Sequence, residues 1–220
     1  MNTPNHEAVQ AARIAAASPR KAQRSEIPAV AGLMARAFAD DPVMTWGFRK
    51  GPKHDGAVAA YMHFSVGEQS APYDAVFTAS DFNAAAVWLP PAGLGSLSLP
   101  PGRMLLLLPL LIRIAGWSRL TRVMALGDAM EKHHPPQPPH WYLFFLGVAP
   151  EMRGKGLGST MLEATLKRVD EDRTPAFLDN SNPRNTRLYE RHGFSVVTEY
   201  RARKDAPIVQ GMWREGLRHA

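Results

Sequence analysis

The chain has 220 residues, enough for one elaborated domain or a small pair. With 45% hydrophobic and 21% charged residues it has ordinary globular usage, which excludes a wholly disordered chain. Lys and Arg outnumber Asp and Glu by 26 to 20, so the charge of +6 asks for an acidic partner, while the lack of cysteine excludes disulfide scaffolds, thiolate metal sites, iron–sulfur clusters and cysteine nucleophiles.

Residues 1–10 read as a flexible tail with no signal-peptide core, which predicts a cytoplasmic protein. Arg13, Ile14, Ala15 and Ala16 predict a short first strand. Ser25 can cap a helix with Pro28 in its first turn, and Val30, Leu33, Met34, Ala37 and Phe38 fall on one face of it. Asp40 and Asp41 before Pro42 end that helix. A second helix over 54–69 carries Val58, Tyr61, Met62 and Val66. Residues 75–78 and 84–89 predict a hairpin around the turn residues 80–83, stopped by Pro90 and Pro91.

After a loop over 93–102, the run 104–112 is the most apolar stretch. Pro109 and Arg113 interrupt it short of the ~20 apolar residues that span a bilayer, so a buried or ligand-facing helix is expected, extending to about 132. A membrane-surface or partner-docking helix is the alternative. A proline-rich connector, 135–139, leads into 141–148, too aromatic and branched for anything but a buried strand. A glycine-rich turn, a helix over 158–171, a strand over 175–178, a short helix over 185–191 and strands over 194–200 and 208–213 complete the chain. With no repeat and no long linker, a single α/β domain over 11–216 is expected, with 93–135 as a helical insertion.

Arg153, Gly154, Lys155, Gly156, Leu157 and Gly158 lie between the buried strand and a helix whose apolar face is Leu162, Leu166 and Val169. Glycines there let backbone N–H groups converge on one point beside a helix N-terminus, an arrangement that binds phosphate. A Walker loop is absent, and the third glycine comes one residue early for the dinucleotide fingerprint. What remains is Arg-x-x-Gly-x-Gly; a tight turn that binds nothing is the plain alternative.

Residues 141–159 followed by 182–194 resemble the GCN5-related N-acetyltransferase (GNAT) superfamily. Its signature [QR]-x-x-G-x-[GA] is matched by Arg153, Gly156 and Gly158, and its N-x-x-x-Y-x-x-x-G-F element by Asn185, Tyr189, Gly193 and Phe194. Residues 37–42, 86–88, 154–159, 175–178 and 189–191 look like the branch containing puromycin N-acetyltransferase. The resemblance implies an α/β (α+β) GNAT fold: a mixed, mostly antiparallel sheet of six to seven strands, splayed between strands 4 and 5 and flanked by helices.

It further implies an acetyl-CoA-dependent N-acetyltransferase. Leu146, Gly147 and Val148 would hold the pantetheine arm of coenzyme A, Arg153 to Ser159 its pyrophosphate, and Asn185 the arm again. Tyr189 would give a proton to the departing thiolate, unless it merely packs beside Phe194. Asp179, where that branch commonly has a glutamate, is the candidate base, directly or through a water; a solvated or capping role is equally open. Asp40 and Asp41 are expected to cap the helix end or attract a cationic substrate.

The acceptor is expected to be a primary amine of a small, antibiotic-like or partly apolar molecule, walled by Trp46, Phe48, Tyr61, Phe64 and 105–112 under a lid formed by 93–135. Without cysteine the transfer is direct. His133, His134 and His140 lack metal-ligand spacing and read as surface or hinge residues, so no metal is expected. Arg113, Arg119 and Arg122, and Arg201, Arg203 and Lys204, read as solvated charge, so neither nucleic acid nor membrane is an expected partner. A monomer or homodimer is expected. The rival readings are a non-catalytic acyl-CoA sensor on the same fold and a protein or peptide N-acetyltransferase.

Overall fold

The computed structural model describes residues 6–97 and 101–217. It opens with a helix where a strand was expected. The alanine-rich segment His6–Ala17 forms α1, with Ala12 and Ala16 buried one turn apart. Alanine is the best helix former, and small residues at that spacing allow close packing on a neighbouring helix. Residues 6–10, assigned above to the tail, belong to this helix. The first strand is β1, Arg20–Lys21, an edge piece of two exposed residues with no apolar signature.

A turn of 3-10 helix at Arg24–Glu26 leads into α2, Ile27–Ala37, with Pro28 near its start. Ser25 does not cap α2; the Glu26 side chain closes the preceding 3-10 turn instead. Its carboxylate accepts from the Gln23 amide at 2.8 Å and pairs with Arg20 at 2.6 Å. Asp41 opens a further helix, α3 (Pro42–Gly47), because an Asp-Pro pair suits N-cap and N1 as well as it suits a helix end. Helix α4, His54–Phe64, runs on into a wider turn, Ser65–Ser70. Strands β2 (Val76–Thr78) and β3 (Ala84–Leu89) form the expected hairpin.

The apolar segment becomes α5, Pro101–His133, broken at Gly116, where φ 64° and ψ 173° turn the chain out of the helix. By length and composition its most apolar window would span a bilayer (mean hydropathy 1.4). Only 22% of that window is buried, contrary to the expected buried helix, although α5 also packs on α3, α4 and the late sheet. Leu105 and Leu106 face solvent at 71% and 81% exposure, so they do not wall a pocket. Then follow β4 (Trp141–Val148), α6 (Leu157–Glu171), β5 (Ala176–Asn180), the five-residue α7 (Thr186–Glu190), β6 (Ser195–Tyr200) and β7 (Val209–Arg214).

The seven strands form one sheet in the order β1-β2-β3-β4-β5-β7-β6, antiparallel except for β4 beside β5. Met34 of α2 lies against Gly147, and Gly158 of α6 against Val148. Successive strand residues face opposite ways, so α2 and α6 cover opposite faces of the sheet. Helix α1 packs on α6, and α4 on α2. The core between them includes Met34, Val58, Met62, Trp88, Leu157, Met161 and Leu162, each at most 1% exposed.

Candidate active site

The parallel pairing of β4 with β5 extends only from Trp141 opposite Ala176 to Leu143 opposite Leu178. At that point β4 carries an extra residue. Leu143 opposes Trp88 and Phe145 opposes Val87, leaving Phe144 as a bulge. Side chains that should alternate are brought together there, and the rings of Phe144 and Phe145 stack at 4.3 Å. A bulge bends its strand, and beyond it β4 keeps β3 but leaves β5. The stretch containing Leu146, Gly147 and Val148 therefore presents an unpaired backbone edge to the gap. Gly147 is glycine for packing, since a Cβ there would collide with Met34 Sδ.

The glycine turn sits where β4 ends. Gly154 and Gly156 have φ of 73° and 85°, and Gly156 is the left-handed N-cap of α6. The first amides of a helix have no intrahelical acceptor, so those around Gly156, Leu157, Gly158 and Ser159 are free to bind an anion with the helix dipole behind them. The Leu157 side chain is core, 1% exposed, so only its backbone can serve. Gly158 lies close to Val148: a Cβ there would sit 3.5 Å from Val148 Cγ2. Arg153 donates to the Ala37 carbonyl at 2.6 Å, tying the turn to the C-terminus of α2. Ser159 Oγ shares a 2.8 Å hydrogen bond with His192 Nε2. Lys155 is half-buried and Gly154 open, with nothing near a Cβ placed on it.

Across the gap, a buried polar clamp sets α7. Gln210 Oε1 accepts from Asn180 Nδ2 at 3.0 Å and from Thr186 Oγ1 at 2.6 Å. Asn185 precedes α7, exposed, its amide nitrogen donating to the Asn182 carbonyl at 2.9 Å. Tyr189, 9% exposed, packs edge-on to Phe194 at 6.2 Å. Among the described residues its hydroxyl has no hydrogen-bond partner. Burial, and then the charge of Asp41, push that phenol above its ordinary range, so it keeps its proton.

Asp41, and not Asp179, is thus the carboxylate whose charge acts on Tyr189. One oxygen of Asp41 caps α3, accepting from Val43 and Met44 amides at 2.9 and 3.2 Å, and the other accepts from Ser181 just past β5. Asp41 caps the start of α3 rather than the end of α2, whereas Asp40 is exposed.

Asp179 lies on the face of β5 that also carries Phe177. Tyr200 Oη donates to its Oδ1 at 2.9 Å and Tyr142 Oη to its Oδ2 at 3.1 Å. Burial outweighs these bonds and pushes the carboxyl up to about 6. His133, at the end of α5, stacks flat on Tyr200 with centroids 4.3 Å apart, and its Nδ1 meets the Ala129 carbonyl at 2.7 Å. A partly exposed acid with a raised pKa, walled by two phenols and an imidazole, can exchange a proton near neutral pH.

Residues 97–194 match the family model described as Acetyltransferase (GNAT) family. That stretch of the chain matches the GNAT family.

Among solved structures it is similar to the histone acetyltransferase HPA2 and related acetyltransferase of Corynebacterium glutamicum (TM-score 0.64, 21% identity, covering 92% of this chain and 99% of that one). It is also similar to the polyamine N-acetyltransferase of Drosophila melanogaster (TM-score 0.60, 17% identity, 90% and 99%). These likenesses show the fold. Among curated relatives, a mycothiol acetyltransferase of Propionibacterium freudenreichii subsp. shermanii is 35% identical over 63 residues, 27% of this chain and 20% of that protein. A mycothiol acetyltransferase of Corynebacterium aurimucosum is 32% identical over 71 residues, 31% and 23%. The chain spans less than a quarter of these two relatives' length.

The structure departs from expectation in three further places. His140 is 1% exposed rather than a surface residue, and its Nε2 meets His134 Nε2 at 3.0 Å beside Phe177. Trp46 stacks under Arg122 (5.1 Å) and bonds to Asp205, while Arg119 caps the Trp46 carbonyl at 2.5 Å. Those arginines hold α5 to α3 rather than forming a solvated face. Phe48 and Tyr61 join Phe145 in a core aromatic chain at 5.3 and 6.1 Å. Sequence reasoning missed the surroundings of Asp179, because Tyr142, Tyr200 and His133 come from three distant elements. The Asp41–Pro42 pair was the available signal for an N-cap.

Proposed function

We propose that the chain is an acetyl-CoA-dependent N-acetyltransferase that moves an acetyl group directly to a primary amine of a small, partly apolar molecule. The observation that carries this reading is the divergence of β4 from β5 after Leu143 and Leu178, with the glycine turn at one end of the gap. The residues there fit coenzyme A: an unpaired strand edge for the pantetheine amides, free helix amides for the pyrophosphate, and no buried acid in the turn.

When bound, acetyl-CoA supplies an activated thioester. The edge of β4 from Phe144 to Val148 holds it and polarises its carbonyl by backbone hydrogen bonds. Tyr189, kept protonated by burial, donates its proton to the departing sulfur. Asp179, with a raised pKa, accepts the proton that the ammonium must lose, directly or through a water. Asp41 and Ser181 hold the α3 side of the gap at fixed width.

A small acceptor is supported by the second limb of α5, which packs with Leu126, Ala129 and Met130 against Val43, Tyr200 and Val209 and so roofs the Asp179 end. It is also supported by the resemblance to the puromycin N-acetyltransferase branch and by the likeness to a Drosophila enzyme that forms N-acetylagmatine. The reading includes a single domain and cytoplasmic action. Free-thiol release from acetyl-CoA, measured over a panel of aromatic amines, polyamines, aminonucleosides and peptides, tests it. Turnover with small amines is expected. Coenzyme binding without turnover on any amine gives a sensor, and turnover on peptides alone gives a protein acetyltransferase; either result overturns the proposal.

A further inference from the structure

Helix α1 lies outside both sequence motifs, yet it reaches the glycine turn. Ala12 and Ala16 are buried, with Val9 packed against the same core, and this face seats α1 on α6. Arg13, next to that anchored face, projects over the N-terminus of α6. Its guanidinium Nε and Nη2 stand 3.8 Å from where a side chain on Gly156 would begin. A cavity of about 360 Å³ opens at the same place, lined by Gln10, Arg13, Ile14, Ala17 and Thr160.

Two observations separate Arg13 from the arginine of the motif. Arg153 commits one guanidinium nitrogen, Nη2, to the Ala37 carbonyl, at the negative end of the α2 dipole. Arg13 is exposed, and among the described residues its guanidinium has neither an ion pair nor a hydrogen bond. A planar fork of donors, held by a packed helix beside unpaired helix amides and committed to nothing else, matches the geometry of a phosphate group.

We infer that Arg13 is a coenzyme phosphate-binding residue. Carried on α1, it closes the glycine turn from the outer side, while Arg153 ties the turn to the C-terminus of α2. This rests on the acetyl-CoA reading above and adds a residue from outside the motif to it. The recognised group is a phosphate ester, either the pyrophosphate or the 3′-phosphate of coenzyme A.

Calorimetric titration of the full chain with coenzyme A and with 3′-dephospho-coenzyme A tests the inference, on the wild type, Arg13→Ala, Arg13→Gln and Arg13→Lys. Alanine and glutamine are both good helix formers at an exposed position, so α1 is expected to stay folded, checked by an unchanged melting temperature. Arg13→Ala and Arg13→Gln are expected to bind coenzyme A about tenfold more weakly, the scale of one charge-assisted hydrogen bond at a solvated site. Arg13→Lys should recover part of the loss, and the KM for acetyl-CoA should rise with kcat unchanged.

If the loss persists with the dephospho form, the pyrophosphate is the partner; if it disappears, the 3′-phosphate is. Variants that bind both ligands as tightly as the wild type overturn the role of Arg13. A wild type that binds neither ligand overturns the acetyl-CoA reading itself.

Discussion

Replacing Asp179 with asparagine should make the protein more stable and less active. In the folded state burial raises this carboxyl from 3.8 to about 6, so its ionised form is held at a cost. Two units correspond to at most about 3 kcal/mol, and the partial exposure of the carboxyl reduces this to about 1–2 kcal/mol. The sign follows from proton counting. Between pH 3.8 and about 6 the folded protein keeps a proton that the unfolded chain has lost, so stability falls as pH rises through that window. Asparagine carries no charge, and its amide can still meet the hydroxyls of Tyr142 and Tyr200. At pH 8 the variant should therefore melt about 2–8 °C above the wild type, with the gap closing below pH 5. Thermal melts of both proteins at matched pH give the difference, which cancels every other titrating group. In parallel, kcat/KM should drop about 100-fold, and the acid limb near pH 6 should vanish. A variant that melts at or below the wild type at pH 8, or a gap independent of pH, refutes the account of burial. Full activity removes Asp179 from the reaction.

Tyr189→Phe should lower kcat about 100-fold while leaving coenzyme affinity and melting temperature nearly unchanged, because the lost hydroxyl has no partner among the described residues; calorimetry and steady-state kinetics separate the two effects. Gly147→Ala should cost about 1–3 kcal/mol through collision with Met34, and the double variant with Met34→Ala should lose less than the sum of the two single changes, as read by denaturant unfolding. Burial and then the charge of His140 hold His134 down to about 4, so the unfolded chain takes up a proton first as pH falls from 6.5. Stability should decline from pH 6.5 towards 4, and His134→Gln should flatten that slope in pH-dependent melts.

How far the fold could be read depended on whether a feature was local. Strand β4 was plain in the sequence because a strand covered by helices on both faces is a continuous run of large apolar residues, as in residues 141–148. The glycine turn was legible because positive φ selects glycine at fixed spacing. Strand β1 was not, since two exposed basic residues at a sheet edge carry no pattern, and Arg13 to Ala16, expected as the first strand, lie instead in α1, whose packed face is Ala12 and Ala16. The bulge at Phe144 depends on how β3 pairs, not on the residue itself. The setting of Asp179 was hidden for the same reason: its partners stand 37 and 21 residues away in the chain.

The bulge at Phe144 also has an evolutionary consequence. It opens the gap through the path of the main chain, and the amides exposed there belong to every residue type except proline. The opposite end is built from side chains, Asp179, Tyr142, Tyr200 and His133, each replaceable by a single codon change. Under the proposed function, donor recognition is thus buffered against mutation while the acceptor end stays free to drift. On that reading a lineage can trade one amine for another without first surrendering its acetyl source.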